Sequence, residues 1–251
     1  MTPFRLEGQT ALITGGGTGI GLGIARCFVH AGAQVVLVGR REQELDSAVG
    51  ELGPKAFRIA GDITRFPETA QLIDQAESLS GPLTILVNNA GIHIKKPTME
   101  TTTDDFESVL RTHVLASHAL TSSILPRMIS RQHGSVLFIA SMASLFGIPN
   151  VIAYSAAKSA YLGMIRTLAT EVSHHGIRIN GIAPGWIDSA MMRKALDHDP
   201  DRRDRVLSRT PMGRFGEAAD VGWAAVYLCS PAAKFLTGAV LPVDGGISIG
   251  F

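Results

Sequence analysis

Apolar and polar positions divide the chain into short runs of β-branched and apolar residues, separated by longer stretches with apolar residues three and four apart. The short runs predict strands at Ala11–Thr14, Val35–Val38, Phe57–Ala60, Ile85–Val87, Val136–Ala140, Ile177–Ile182 and Ala239–Val243. They are nearly continuous in apolar residues, as in a parallel sheet covered on both faces. The longer stretches predict helices at Ile20–Ala31, Glu42–Leu52, Pro67–Ser80, Asp104–Ser130, Val151–His174 and Glu217–Cys229. Strand and helix alternate, which is the order of βαβ units and predicts an α/β fold, a doubly wound parallel sheet. No repeat of 20 to 50 residues and no Pro/Ser-rich linker divides the chain, so residues 1–251 are expected to form a single domain. One segment, Ser189 to Phe215, breaks the pattern between the sixth strand and the last long helix. Beside the carboxyl ends of the strands it is either a lid over a site or, given its mixed charge, a solvated surface loop.

Composition narrows the partners. A chain of 251 residues with 45% hydrophobic and 18% charged residues buries a large core and is not of the disordered class. A net charge of +1 provides no electrostatic footprint for nucleic acid or an anionic membrane, which leaves a small molecule as the expected partner. Gly8–Ala25 is long enough to span a bilayer but holds seven glycines, and Gly134–Ala157 carries Ser135, Ser141, Pro149, Asn150 and Tyr154. Neither is the run of about 20 mostly apolar residues that a span requires. Met1–Gly8 shows no basic segment followed by an apolar run, so no signal peptide is expected. Cys27 and Cys229 lie in apolar helical patterns, outside any zinc or redox spacing, which predicts a reduced, cytoplasmic setting and no metal.

The 27 glycines cluster informatively. The first strand runs into Thr14-Gly15-Gly16-Gly17-Thr18-Gly19-Ile20-Gly21, after which a helix begins. Gly15 permits a tight turn, Gly19 lets the backbone approach a pyrophosphate, and Gly21 lets helix and strand pack closely, with the helix N-terminus facing the anion. After a strand and before a helix it reads as a Rossmann-type dinucleotide turn, with three residues between Gly15 and Gly19; the alternative is a turn of structural use alone. The second strand ends in Gly39-Arg40-Arg41, with no acidic residue to accept the adenosine ribose hydroxyls. A guanidinium there pairs with the 2′-phosphate of NADP, so Arg40, with or without Arg41, favours NADP over NAD; alternatively both are solvated charges at a helix start.

Tyr154 and Lys158 are four apart in a helical pattern and rise from adjacent turns of one face, while Ser141 stands at the exit of the preceding strand. A free phenol, with a pKa of about 10, is a poor base at neutrality. A lysine ammonium about 4 Å away, at an effective dielectric near 20, favours the phenolate by about 4 kcal/mol and is expected to bring Tyr154 toward neutrality. Tyr154 would then serve as general acid/base between an alcohol and a carbonyl, with Ser141 hydrogen-bonding the developing alkoxide.

Taken together, the glycine turn, Asn88-Asn89-Ala90-Gly91 after the fourth strand, and Ser141 thirteen residues before the Tyr154/Lys158 pair resemble the short-chain dehydrogenase/reductase family. The resemblance runs from Gly8 to Val243-Asp244-Gly245-Gly246. It implies a nicotinamide cofactor held by Gly15, Thr18, Gly19 and Ile20, with Asp62, Ile63, Asn89, Ala90 and Gly91 lining the adenosine. Tyr154 and Lys158 would touch the cofactor as well as perform the chemistry. Pro184-Gly185-Trp186-Ile187-Asp188-Ser189 resembles the family's P-G-x-V-x-T loop, in which backbone at Ile187 and the hydroxyl at Ser189 hold the nicotinamide carboxamide; Pro184-Gly185 by itself also reads as a plain turn. The Tyr–Lys spacing is shorter than in enoyl-reducing relatives. A homotetramer is the usual family assembly, and Ala116, Ala119, Ala156, Ala157 and Ala160 are small enough for close helix contact between subunits.

One departure falls in the predicted helix 104–130. Where the family usually has an Asn whose backbone carbonyl, at a local helix distortion, holds a water leading to the lysine, this chain has His113. Three outcomes follow: the carbonyl alone suffices, the imidazole substitutes through a ring nitrogen, or activity is weak. His93, His118, His174 and His175 are assigned no role. The strings Asn89–Pro97, Ser141–Pro149 and Val243–Phe251 resemble those of bacterial dehydrogenases acting on sugar acids such as gluconate. That implies a hydroxylated carboxylate or polyol as substrate, against two alternatives: a 3-oxoacyl carrier-protein reductase, or a cofactor-sensing regulatory protein without turnover. In the insertion, arginines such as Arg193, Arg202, Arg205, Arg209 and Arg214 outnumber the aspartates; they either recognise a carboxylate or form a solvated face.

Overall fold

The structure, a computed structural model, describes residues 2–189, 192 and 200–249, and of residues 200–202 the backbone only. Seven strands form one sheet: β1 (Thr10–Thr14), β2 (Gln34–Gly39), β3 (Ala56–Ala60), β4 (Ile85–Asn88), β5 (Gly134–Ile139), β6 (Ile177–Pro184) and β7 (Val240–Val243). Their order is β3-β2-β1-β4-β5-β6-β7, and every pairing is parallel. The helices are α1 (Gly19–His30), α2 (Glu42–Leu52), α3 (Thr69–Ser80), α4 (Thr103–Leu110), α5 (Ala116–Arg131), α6 (Ile152–Val172), α7 (Pro200–Ser208) and α8 (Ala218–Cys229).

Period-two geometry explains why the strands read as unbroken apolar runs. Leu12, Val36, Val38 and Leu86 face α3, α5 and α6 through Ile73, Ile124, Met128 and Ile165. Ile13, Val35, Leu37 and Val87 face α1, α2 and α8 through Ile24, Phe28, Leu45 and Val221. Each strand therefore stabilises two cores, and at about 25 cal/mol per Å² of apolar area removed from water both faces select apolar residues. Cys27 and Cys229 both fall in the second of these cores, and burial pushes each thiol up to about 11.

The chain winds outward from β1 to β3, then returns to place β4 on the other side of β1. That reversal opens a crevice above the carboxyl ends of β1 and β4, where ligands bind in open α/β sheets. The predicted helix 104–130 is not continuous. A π-helical turn, Arg111–Leu115, separates α4 from α5 and lodges the buried His113; such a turn inserts an extra residue and commonly marks a functional position. In the insertion, α7 is an element the sequence pattern did not reveal. A parallel bridge of Ile187 with Gly216 clamps the two ends of this insertion. Among the described residues, no helix is long and apolar enough to cross a membrane.

Candidate active site

A cavity of about 630 Å³ opens over the crevice. Of the residues expected to hold a cofactor, Gly15, Thr18, Gly19, Ile20, Arg40, Asp62, Ile63, Asn89, Ala90, Gly91 and Ser189 line it. Its floor is the β1–α1 turn, where Gly15 and Gly19 have φ of +64° and +56°, a left-handed backbone that an L side chain would strain. Thr18 stands at the N-cap of α1, and its side chain makes no capping hydrogen bond. The first amides of α1 therefore face the cavity without a side-chain oxygen, the arrangement that binds a phosphate.

Thr14 and Asn89 hold this turn in place. The Thr14 hydroxyl donates to the Val87 carbonyl (3.2 Å) and accepts from the amides of Asn89 and Ala90 (3.0 Å each). The Asn89 side chain donates to the Thr14 carbonyl (2.8 Å) and the Gly15 carbonyl (3.3 Å). Asn89 thus ties the turn to the end of β4, a role for its side chain that motif spacing did not reveal. Thr14, Ser108, Arg111 and Thr112 were also missed; the last three line the cavity from α4 and the π turn. No local pattern in 104–130 distinguished them from a solvated helix face.

At the β2 end, Arg40 and Arg41 both line the cavity. The Arg41 guanidinium pairs with Glu44 and donates to the Thr18 hydroxyl at 3.4 Å. Asp62 accepts from the backbone amide (2.9 Å) and hydroxyl (2.8 Å) of Thr64. These bonds, with Arg40 and Arg65 nearby, hold its carboxyl below the usual range.

The residues expected to perform chemistry are not among those lining the cavity; the His113 ring connects the two, packing against Gly91 of the lining and against the Tyr154 ring. Ser141 leaves β5, its oxygen accepting the Ala143 amide (3.1 Å), and its hydroxyl acts on the Tyr154 phenol of α6, favouring the ionised form. Lys158, one turn on, donates to the Ile139 carbonyl at 2.5 Å and lies 5.6 Å from the centre of the Tyr154 ring and 4.9 Å from that of Tyr161. Burial raises the Tyr154 phenol above its ordinary value and the Ser141 hydroxyl partly offsets this, while burial pulls Lys158 down to about 7. The expected direction for Tyr154 is therefore reversed. The ammonium donates to the Ile139 carbonyl and stands over ring faces, and burial, which disfavours the charged form of each group, sets both directions. Lys158 is the group brought near neutrality.

His93, assigned no role from sequence, stands with its ring centre 4.9 Å from that of Tyr154. His113 meets Tyr154 edge-on at 5.5 Å. Its ring Nε2 lies 2.8 Å from the Ile92 carbonyl and 3.1 Å from the Ile92 amide. Its own carbonyl accepts from the Tyr161 hydroxyl at 3.0 Å, and that hydroxyl shares a 2.9 Å hydrogen bond with Ser117. Burial and the Lys158 charge push the imidazole down to about 3, so it is neutral.

Pro184 ends β6, and Gly185 packs on the Asp244 backbone, so neither lines the cavity. The bridge after β6 runs from Gly216 to the Trp186 carbonyl (2.9 Å) and from Asp188 to the Gly216 carbonyl (2.7 Å). The peptide groups of Ile187 take no part in it. Ser189 reaches the cavity and accepts from the Met192 amide at 3.2 Å. Of the insertion's arginines, Arg193 lies outside the described residues, as does the side chain of Arg202. Arg203, Arg205 and Arg209 are exposed, and Arg214 pairs with Asp220 at 3.7 Å. None of these four lines the cavity.

Comparison with known proteins places these features in context. The family model described as Enoyl-(Acyl carrier protein) reductase, a short-chain dehydrogenase model, matches residues 15–248. Gluconate 5-dehydrogenase of Gluconobacter oxydans is 36% identical over 249 residues, covering 98% of this chain and 97% of that protein. Galactitol 2-dehydrogenase (L-tagatose-forming) of Cereibacter sphaeroides is 36% identical over 251 residues, covering 99% and 98%. A crystal structure of a gluconate 5-dehydrogenase from Burkholderia cenocepacia, in complex with NADP and tartrate, superposes with a TM-score of 0.93 at 33% identity, covering 99% of this chain and 98% of that one.

Proposed function

This chain belongs to the short-chain dehydrogenase/reductase family of oxidoreductases, and we propose that it interconverts a secondary alcohol and a ketone on a sugar acid or polyol, with NADP as the preferred cofactor. The observation that carries this reading is buried Lys158 one helical turn from Tyr154, with Ser141 lowering the phenol's pKa against its burial, in a fold whose glycine turn leaves a helix N-terminus that no side chain caps. When bound, the nicotinamide supplies or accepts a hydride. Tyr154 delivers a proton to the carbonyl oxygen in reduction and removes it in oxidation, while Ser141 hydrogen-bonds that oxygen. Lys158, near neutrality, gains or loses a proton readily and keeps the phenol supplied.

Gly15, Thr18, Gly19 and Ile20 would take the pyrophosphate, and Asp62, Ile63, Asn89, Ala90 and Gly91 the adenosine. Tyr154 and Lys158 would reach the nicotinamide ribose, and the Pro184–Ser189 loop, through Ile187 backbone and the Ser189 hydroxyl, the carboxamide. Arg40, with Arg41 on Thr18, supports NADP, and so do relatives crystallised with it. The four-residue Tyr154–Lys158 spacing favours CH–OH chemistry over enoyl reduction, and the intact Ser141, Tyr154 and Lys158 favour an enzyme over a regulatory protein. A carboxylate anchor is better sought at Lys95, exposed beside His93, than among the described arginines of the insertion. We further propose a cytoplasmic homotetramer. Ala116 and Ala157 are spent in the protomer's own core, but Leu115, Ile152, Trp223 and Leu241 remain exposed as apolar contact surface.

The test is turnover of an aldonate, the matching neutral polyol and a long acyl ketone with each cofactor, at low and high salt. Aldonate preference that weakens with salt supports an anion site, because a screened ion pair loses strength as ionic strength rises. Preference for the acyl ketone would move the assignment to carrier-protein reductases, and a monomeric mass by light scattering would remove the tetramer.

A further inference from the structure

Tyr154, Lys158 and Tyr161 follow one another at spacings of four and three on α6 and so share one helix face. Tyr161 is fully buried and Lys158 is 3% exposed. The Lys158 ammonium donates to the Ile139 carbonyl and stands 4.9 Å from the centre of the Tyr161 ring, nearer than the 5.6 Å that separates it from the Tyr154 ring. At that range a ring face attracts a cation, most strongly where water is excluded. Among the described residues no carboxylate pairs with Lys158. The titratable groups that face it are Tyr154 and Tyr161 on its own helix and His113 from the π turn, all held neutral by burial. Helix α4 also packs on α6, and its Asp105 is paired with Lys96 instead.

The Tyr161 ring is fixed on its other sides. Phe138 of β5 packs with 5.1 Å between ring centres. The Tyr161 hydroxyl donates to the His113 carbonyl at 3.0 Å, which spends its only proton, so the 2.9 Å bond to Ser117 runs from the serine to the phenol oxygen. Burial pushes this phenol up, and it stays a donor near neutrality. An apolar residue would fill the same space; a hydroxyl bonded twice also sets the depth and tilt of the ring.

We propose that Tyr161 is a positioning residue: anchored through its hydroxyl to the His113 carbonyl and Ser117, it holds a ring face against the Lys158 ammonium and so keeps that amine able to carry a proton in a dry interior. The inference rests on the reading of Lys158 as the group that keeps the Tyr154 phenol supplied.

The charge of the ring face can be changed without changing the ring's shape. Tyr161→Phe keeps the electron-rich face and loses the hydroxyl, whereas pentafluorophenylalanine introduced at position 161 also lacks the hydroxyl and reverses the charge of the face. Ionisation of Lys158 is read by NMR titration of the full chain labelled at the lysine ε-carbons, its signal identified by its absence in Lys158→Met. The Phe variant is expected to titrate close to the parent, and the fluorinated protein about 0.5–1.5 pH units lower than the Phe variant. Equal titration in the Phe and fluorinated proteins, or a higher value in the latter, overturns the proposal. Tyr161→Phe should also lower the melting temperature, because Ser117 and the His113 carbonyl lose a buried partner; an unchanged melting temperature overturns the anchoring. In an active parent the pH dependence of kcat should move with the titration. A kcat profile that stays in place while the titration moves, or a parent that turns over no alcohol or ketone, refutes the functional reading of Lys158, while the titration still reports on the contact with Tyr161.

Discussion

The two ends of the site operate in different electrostatic regimes although one side chain, His113, touches both Gly91 of the cavity lining and Tyr154. At the cofactor end Arg40 and Arg41 are on the surface, and Asp62 is held ionised by Thr64 and the nearby guanidinium of Arg40. At the reaction end Lys158, His113 and Tyr161 are buried, and desolvation pushes each toward its neutral form. On the proposed reading, charge is kept where an anionic cofactor would be recognised. At the other end burial holds His113 and the two phenols in their neutral forms and brings only Lys158 near neutrality, where it can exchange a proton.

The largest effect expected from this contrast is Tyr154→Phe, which removes the proton donor and leaves the cradle untouched. The rate of turnover should fall by about 10²–10⁴ with NADPH affinity nearly unchanged. Turnover within about tenfold of the parent would place the acid/base elsewhere.

At the cofactor end, Arg40→Asp should reverse the cofactor order. A charge-assisted contact contributes about 1.5–3 kcal/mol, so NADPH affinity should fall roughly tenfold to a hundredfold while NADH gains. Dissociation constants for both cofactors decide it, and equal affinities in the parent would assign Arg40 to the solvated surface.

Thr14→Val probes what joins the two ends. The buried hydroxyl serves Val87, Asn89 and Ala90, and its loss should destabilise the fold by about 1–3 kcal/mol and weaken cofactor binding. Denaturant titration with and without NADPH measures both. Unchanged stability would mean that Asn89 alone secures the turn.

The smallest readout is a slope. Between about 7 and the ordinary 10.5 of lysine, the unfolded chain keeps a proton at Lys158 that the folded chain has released. Stability should therefore rise with pH across that window, by at most about 1.4 kcal/mol per pH unit, and show no pH dependence from Lys158 below it, where the cost of burying the ammonium is fully present. Above about 10 the raised Tyr154 reverses the trend, because the folded phenol retains a proton the unfolded one has lost. Lys158→Met should flatten the rise, and an equal rise in that variant would assign it to another group.

The cofactor end was the more legible of the two in the sequence. Gly15, Gly19 and the Arg40-Arg41 pair announce themselves through local chemistry: a left-handed backbone, an uncapped helix start, a guanidinium at a strand end. The inner strands β1, β2, β4 and β5 were legible for a similar reason, since burial on both faces leaves an unbroken apolar run. Ser141, Tyr154 and Lys158 were legible as a spaced set, and four-residue spacing does place Tyr154 and Lys158 on one helix face. Their protonation was not. Spacing carries no information on how deeply a helix face is buried, and at this depth desolvation, rather than the lysine's charge, sets the direction. His113 was visible only as a departure. That its ring would grip Ile92, exclude a side chain at Gly91 and touch Tyr154 depends on a π turn and on contacts between residues 21 and more apart in the chain. The helix α7 was hidden as well, in a segment without apolar periodicity. The chain alone therefore determined the order of elements, the glycine turn and the shared helix face of Tyr154 and Lys158, because each rests on local backbone preference or on a fixed repeat. The depth of Lys158 and the anchoring of His113 were decided by tertiary packing, because desolvation and steric exclusion exist only once distant segments share one interior.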